Sequence, residues 1–164
     1  LAIATIEHEL KLNQCQTLAL VETQTYLLLP ASKGGAAVGV SKHPDELSGE
    51  FVKTVVPDET LIIQYSALGF NSHKIHIDRL HARNVEGFPD LVVNGGLATL
   101  LLTEFLRTEA NVSPLSIKVR HVAPLFSGSP ITMVAKKSEE KWLLQAYDHR
   151  FILAIDMEVE ANEF

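Results

Sequence analysis

The chain has 164 residues, of which 46% are hydrophobic and 21% charged, with a formal net charge of −6. That length suits one domain, or one domain and part of another, and that hydrophobicity excludes a disordered chain. The acidic balance argues against nucleic acid, whose phosphates require clustered Lys and Arg, and no apolar run approaches the ~20 residues of a membrane-spanning helix.

The chain starts at Leu1 without a basic-then-apolar leader, which reads as a mature or truncated intracellular protein. Residues 3–12 and 17–29 mix Thr, Val, Ile and Leu with polar residues, and Asn13-Gln14-Cys15-Gln16 between them has the composition of a turn. Together they predict a hairpin, which alone is marginal in water and needs a partner surface. Cys15 is the single cysteine, so there is neither an intrachain disulfide nor a Cys-based zinc cluster. Residues 31–59 are broken up by Gly34, Gly35, Gly39, Pro44 and Pro57 and hold no period, which predicts a linker. Residues 60–66 (TLIIQYS) predict a short strand, and 71–83 a loop running into a short helix near 80–84. Residues 86–89 turn, and 91–93 are extended. Gly95-Gly96 opens the clearest helix, residues 97–108. Its leucines and Phe105 cover nearly the whole circumference, which predicts burial on every side. Asn111 and Pro114 end it. Beyond Pro114 a period of two predicts strands over 116–122, 131–137, 142–148 and 151–161.

One strand, one buried helix and a run of antiparallel strands is an α+β pattern. Its natural packing is a curved sheet wrapped around the helix, the hotdog fold. The strand–turn–strand pattern of 3–29 echoes that of 131–148, so the N-terminal hairpin reads as the closing strands of a first, partial hotdog repeat. The implied organisation is remnant strands over 1–30, a linker over 31–59 and a hotdog domain over 60–164.

The densest polar segment is Tyr65–Asp78, YSALGFNSHKIHID, with His81 just after it. His73, His76, Asp78 and His81 have metal-binding donors, but their spacing does not match a helical His pair. Loop histidines also commonly satisfy backbone groups, and Lys74 and Arg79 read as solvated. The third reading is an acid/base site, because imidazole titrates near neutrality and can take and return a proton in one cycle. Carbonyl chemistry further needs donors aimed at a developing oxyanion. Val93-Asn94-Gly95-Gly96, at the start of the buried helix, offers free N–H groups and the positive end of the helix dipole. The plainer reading of the two glycines is a tight turn into the helix.

The ordered motifs Y-S-A-L-x-F-N-x-H-x-I-H-x-D and V-E-G-F-P-x-L-V-V-x-G, followed by a leucine-rich helix and Arg120–Phe126 (RHVAPLF), resemble MaoC-like hotdog hydratases and dehydratases. Within that family the similarity is to mitochondrial-type 3-hydroxyacyl-thioester dehydratases and mesaconyl-CoA hydratases. The match covers 60–164 well and 1–30 loosely. The resemblance implies a double-hotdog protein whose second repeat carries catalysis. It implies reversible hydration of a 2-enoyl thioester of coenzyme A or acyl carrier protein to the 3-hydroxyacyl thioester, without a metal or redox cofactor. It places the proton transfer on His76. It places Asn71, which cannot ionise, as the holder of the water or departing hydroxyl. Gly95, Gly96, Asn94, His73 and Ser66 become the oxyanion and substrate-binding candidates. This sequence departs from the usual V-H-G-P-L at Asn94 and Gly96, from a usual Gly at Asp90 and from a usual Thr at Gly69. The resemblance also implies a mitochondrial location in a eukaryote, otherwise a cytoplasmic one.

Two functional classes follow. The first is a hydro-lyase using His76. The second is a catalytically impaired acyl-thioester-binding or vestigial hotdog protein, motivated by Asn94, Gly96 and the incomplete first repeat. A thioesterase is disfavoured, since Glu104 is the only carboxylate on the central helix and lies far from its start. Exposed sheet edges invite pairing, which predicts a homodimer.

Overall fold

The computed structural model describes residues 2–12, 16–28 and 47–163. The chain divides into two units, Leu1–Lys33 and Gly34–Phe164.

The first unit is the expected hairpin. Strands β1 (Ala2–Lys11) and β2 (Leu18–Leu28) pair antiparallel from Ala2 opposite Leu28 to Leu10 opposite Leu20, with a register shift between Leu10 and Lys11. The Leu12 N–H donates to the Thr17 carbonyl at 2.9 Å next to the turn. Of the expected turn, Asn13, Gln14 and Cys15 lie outside the described residues.

The second unit holds a five-stranded antiparallel sheet in the order β3-β5-β6-β7-β4. Strand β3 (Phe51–Val55) lies inside the stretch expected to be linker, and residues 29–46 of that stretch are outside the described residues. Phe51 and Val55 pack against the core, which is why five residues suffice to add a strand. Gly49 lets the chain approach β5 closely, since a Cβ there would lie 2.7 Å from the Ala135 carbonyl oxygen. The sheet domain therefore begins before residue 60.

Residues 60–66 are helical, not a strand. Helix α1 (Glu59–Leu68) starts at Asp58, whose carboxylate accepts the Leu61 N–H at 2.8 Å. Such a cap contributes ~1 kcal/mol. Ile62 and Ser66, one turn apart, face inward, so tertiary burial overrides the β-rich composition. A 3₁₀ turn (Lys74–His76) and helix α2 (Arg79–Asn84) follow.

Helix α3 (Gly95–Ala110) runs along the sheet. Leu97, Ala98, Leu102, Phe105 and Leu106 are buried, but Leu100 is 48% exposed. Glu104 and Arg107 pair with each other at 2.9 Å on the exposed side. The expectation of burial on every side is thus corrected: α3 is buried on one side. Asn111 ends it in the left-handed conformation (φ 53°).

The remaining strands are β4 (Val112–His121), β5 (Ile131–Ser138), β6 (Lys141–Tyr147) and β7 (Leu153–Glu163). Alternate residues Met133 and Ala135, Leu144 and Ala146, Ile155, Met157 and Val159 join the α3 leucines in one core. Pro114 does not precede the strand but lies within β4, at the sheet edge beside a register shift, where a missing N–H is tolerated. A helix laid on one face of an antiparallel sheet is the α+β hotdog arrangement expected from the element order. Among the described residues, no helix is long and apolar enough to cross a membrane.

Candidate active site

His76 closes the 3₁₀ turn, and its side chain is buried, 8% exposed. Asn71 shapes the approach: its side-chain carbonyl accepts the His73 N–H at 3.0 Å. Asp78 then caps α2 by accepting the His81 N–H at 2.9 Å, a local role for a residue considered as a metal donor. Among the described residues, no three His, Cys, Asp or Glu side chains converge to hold a metal ion.

The ring of His76 is oriented by the backbone. Its Nδ1 lies 2.7 Å from the Val92 carbonyl oxygen, which can only accept. Nδ1 therefore carries the hydrogen, and Nε2 keeps its lone pair. Burial pushes the His76 pKa below the usual imidazole value. The hydrogen bond to Val92 partly opposes that shift, and the charge of His73 adds to it. The result is a neutral imidazole with one basic nitrogen.

Residues 91–93 fix this geometry as an extended stretch held from both sides. The Val92 N–H donates to the Ile75 carbonyl, the Val93 N–H to that of Leu125, and the Ser127 N–H to that of Leu91. Asp90 anchors the start of the stretch. It accepts from its neighbour Leu91 N–H at 2.7 Å, from Arg79 Nε at 2.8 Å and from Arg83 at 2.7 Å. Burial alone would raise its pKa, but these hydrogen bonds prevail and lower it. Arg79 is therefore not merely solvated: it also pairs with Glu59 of α1 at 2.9 Å. Asp90 and Arg79 thus form a clasp between α1, α2 and the stretch leading into α3.

The first helical hydrogen bond of α3 runs from the Ala98 N–H to the Asn94 carbonyl, leaving the N–H groups of the first turn without partners in the helix. The side chain of Asn94 does not cap them. It is 2% exposed, its Nδ2 donates to Ser66 Oγ at 3.0 Å, and its Oδ1 has no hydrogen-bond partner. Asn94 and Ser66 thus pin the start of α3 to α1. At Gly96 a Cβ would collide with the Tyr65 hydroxyl, and at Gly95 it would touch the His121 ring at 3.4 Å. Both glycines allow a side chain to lie against the helix start.

A cleft of about 350 Å³ opens beside this turn, lined by His76, Val92, Gly95, Ala98, His121 and Leu125 among others. That size falls at the lower end of small-molecule sites. The structure brings His76 and Gly95 to one cleft. It places Asn94 and Ser66 together, buried, at the start of α3, and Gly96 against Tyr65. Asn71 and His73 are exposed on the preceding loop and do not line the cleft, although the His73 and His76 ring centroids are 5.8 Å apart. Sequence reasoning missed His121 as a site residue. The available signal for His121 was its position in the RHVAPLF stretch, where it and Arg120 are the residues able to carry proton chemistry.

The hydroxyacyl-thioester dehydratase type 2 family model matches residues 2–127. The mesaconyl-C(4)-CoA hydratase of Chloroflexus aurantiacus is 38% identical over 108 residues, covering 66% of this chain and 39% of the relative. The mitochondrial hydroxyacyl-thioester dehydratase type 2 of Schizosaccharomyces pombe is 26% identical over 140 residues, covering 84% and 43%. The chain therefore spans about two fifths of the length of these curated relatives. Among solved structures, a MaoC-like dehydratase from Phytophthora capsici superposes with a TM-score of 0.62 at 21% identity, covering 87% of this chain and 46% of that one. That likeness concerns the fold. The family match extends over most of the chain and contains both the His76 loop and the α3 start: the chain belongs to the hydroxyacyl-thioester dehydratase type 2 family.

Proposed function

We propose that this chain carries the catalytic half of an acyl-thioester hydratase/dehydratase, acting between a 2-enoyl and a 3-hydroxyacyl thioester of coenzyme A or acyl carrier protein. The observation that carries this reading is the His76 ring. It is held by Val92 so that Nε2 is basic, beside a cleft that also reaches the first turn of α3.

In the dehydration direction, His76 Nε2 takes the proton from C2. Negative charge grows on the thioester oxygen, which the N–H groups of Gly95 and Gly96 receive. One such donor is worth ~3–4 kcal/mol in comparable sites. The C3–O bond breaks as the C2–C3 double bond forms, and the departing hydroxide takes the proton back from His76 and leaves as water. Hydration is the reverse. Asn94 and Ser66 serve by holding the helix start in place. The water-holding role for Asn71 has the least geometric support, because its carbonyl is engaged by the His73 N–H and the residue is exposed outside the cleft.

The hairpin over 1–30 is read as the closing strands of a first repeat that would complete the acyl site. A homodimer is read from the two sheet edges, of which β4 exposes Leu115 and Ile117. A mitochondrial setting is read for a eukaryotic bearer of the chain, after the fission-yeast relative's name.

The test is turnover of crotonyl-CoA by the wild type and His76→Ala. The expected loss is ~10²–10⁴-fold, the usual contribution of a positioned acid/base. Equal rates would overturn the assignment. Calorimetric binding of the thioester without turnover by the wild type would favour the binding-protein alternative.

A further inference from the structure

We infer that His121 holds the 3-hydroxyl group of the substrate, or the attacking water in the reverse direction, opposite the base. This rests on the reading of the cleft as a hydratase site.

His121 ends β4 and lines the same cleft as His76. Its ring lies over Gly95, close enough that a Cβ there would be 3.4 Å from the nearest ring carbon. Its protonation pattern follows from a short chain of hydrogen bonds. Thr99, one turn into α3, has a single hydroxyl hydrogen and donates it to the Gly95 carbonyl at 3.1 Å. The contact of 3.3 Å between Thr99 Oγ1 and His121 Nε2 must then have Nε2–H donating. Nδ1 is left with its lone pair and makes no hydrogen bond within the described residues. Although the residue is exposed at the mouth of the cleft, the protein packed around its ring lowers its pKa by desolvation, which favours the neutral ring.

The cleft thus contains two imidazoles of opposite tautomer. Each has one nitrogen fixed as a donor to the protein and the other free to accept. His76 alone takes and returns the travelling proton. What the reaction still requires is an acceptor for the hydrogen that stays on oxygen throughout, the one that fixes the C3–O bond relative to C2. Asn71 is exposed on its loop outside the cleft, whereas His121 lines the cleft and its Nδ1 has the right character. His121 makes no covalent step: it accepts one hydrogen bond from the hydroxyl or water and thereby selects thioesters that carry it.

The experiment measures calorimetric binding of 3-hydroxybutyryl-CoA and butyryl-CoA to the whole chain, as wild type, His121→Phe and His121→Gln. Phenylalanine keeps a ring over Gly95 and removes both nitrogens; glutamine restores an acceptor. The expected result is wild-type preference for the hydroxylated ligand. His121→Phe should lose roughly three- to tenfold of that preference, the worth of one neutral hydrogen bond. His121→Gln should recover part of it, and butyryl-CoA binding should change little in either variant. An unchanged preference in His121→Phe would overturn the inference. If His76→Ala still abolished turnover in that case, the hydratase reading would stand without it. Failure of the wild type to bind either thioester would overturn both.

Discussion

Strands β1–β2 and β5–β6 are both antiparallel hairpins, the first with one register shift near its turn, yet they differ in what their side chains meet. In β5, Ile131, Met133, Val134 and Ala135 are buried, and in β6 so are Trp142, Leu144, Ala146 and Tyr147. In β1 every residue from Ala2 to Lys11 is exposed except Ala4, which is intermediate, and Leu20 and Val21 of β2 are exposed as well. The backbone is paired along both hairpins. What separates them is a buried face, and a two-stranded ribbon without one has little to hold it. The difference teaches that a correct register is a local achievement, whereas stability comes from the layer beneath.

The largest effect belongs to catalysis: His76→Ala should lose ~10²–10⁴-fold in crotonyl-CoA turnover, which would place the proton transfer in the second unit. Next, Leu144→Ala should destabilise the chain by ~2–5 kcal/mol in urea unfolding, because it opens a cavity under the sheet. The matching change Leu20→Ala in the hairpin should stay within about 0.5 kcal/mol. A cost like that of Leu144→Ala would mean that the hairpin face is covered in solution. The smallest effect is on pH. The pKa of His76 is lowered on folding, so below the ordinary imidazole value of ~6.5 the unfolded chain binds more protons than the folded one. Stability should therefore rise with pH through the window beneath ~6.5 and flatten above it, and His76→Gln should reduce that slope, leaving the share of His121, whose pKa burial also lowers. The rate should fall on acidification only once His76 itself is protonated, at a pH below 6.5. A rate that fell with a midpoint above 6.5 would contradict the lowered pKa.

Much of the fold was legible because amphipathic alternation and helix punctuation are local. Leu144, Ala146, Ile155 and Met157 announce a half-buried sheet by their spacing alone. Thr60–Ser66 misled for a physical reason: its β-branched and aromatic residues favour a strand, and only the Asp58 cap and the burial of Ile62 and Ser66 decide for a helix. Strand β3 was hidden because five residues between polar stretches carry too little pattern to stand out. In the site, His76 and the α3 start were legible as residue types in order. The tautomer of His76 was not, since it depends on a carbonyl sixteen residues away. Nor was the pairing of Arg79 with Asp90 and Glu59, because ion pairs between separate elements leave no periodic trace.

The bare α-carbon at Gly96 also constrains how this sequence can change over generations. The Tyr65 hydroxyl occupies the space where any side chain at 96 would begin. Tyr65 is itself partly buried and packed against the core. A lineage in which position 96 gained a side chain would first have to relieve Tyr65, for instance through phenylalanine. The two positions therefore form an ordered pair, in which one route between two workable sequences is open and the reverse order passes through a damaged intermediate.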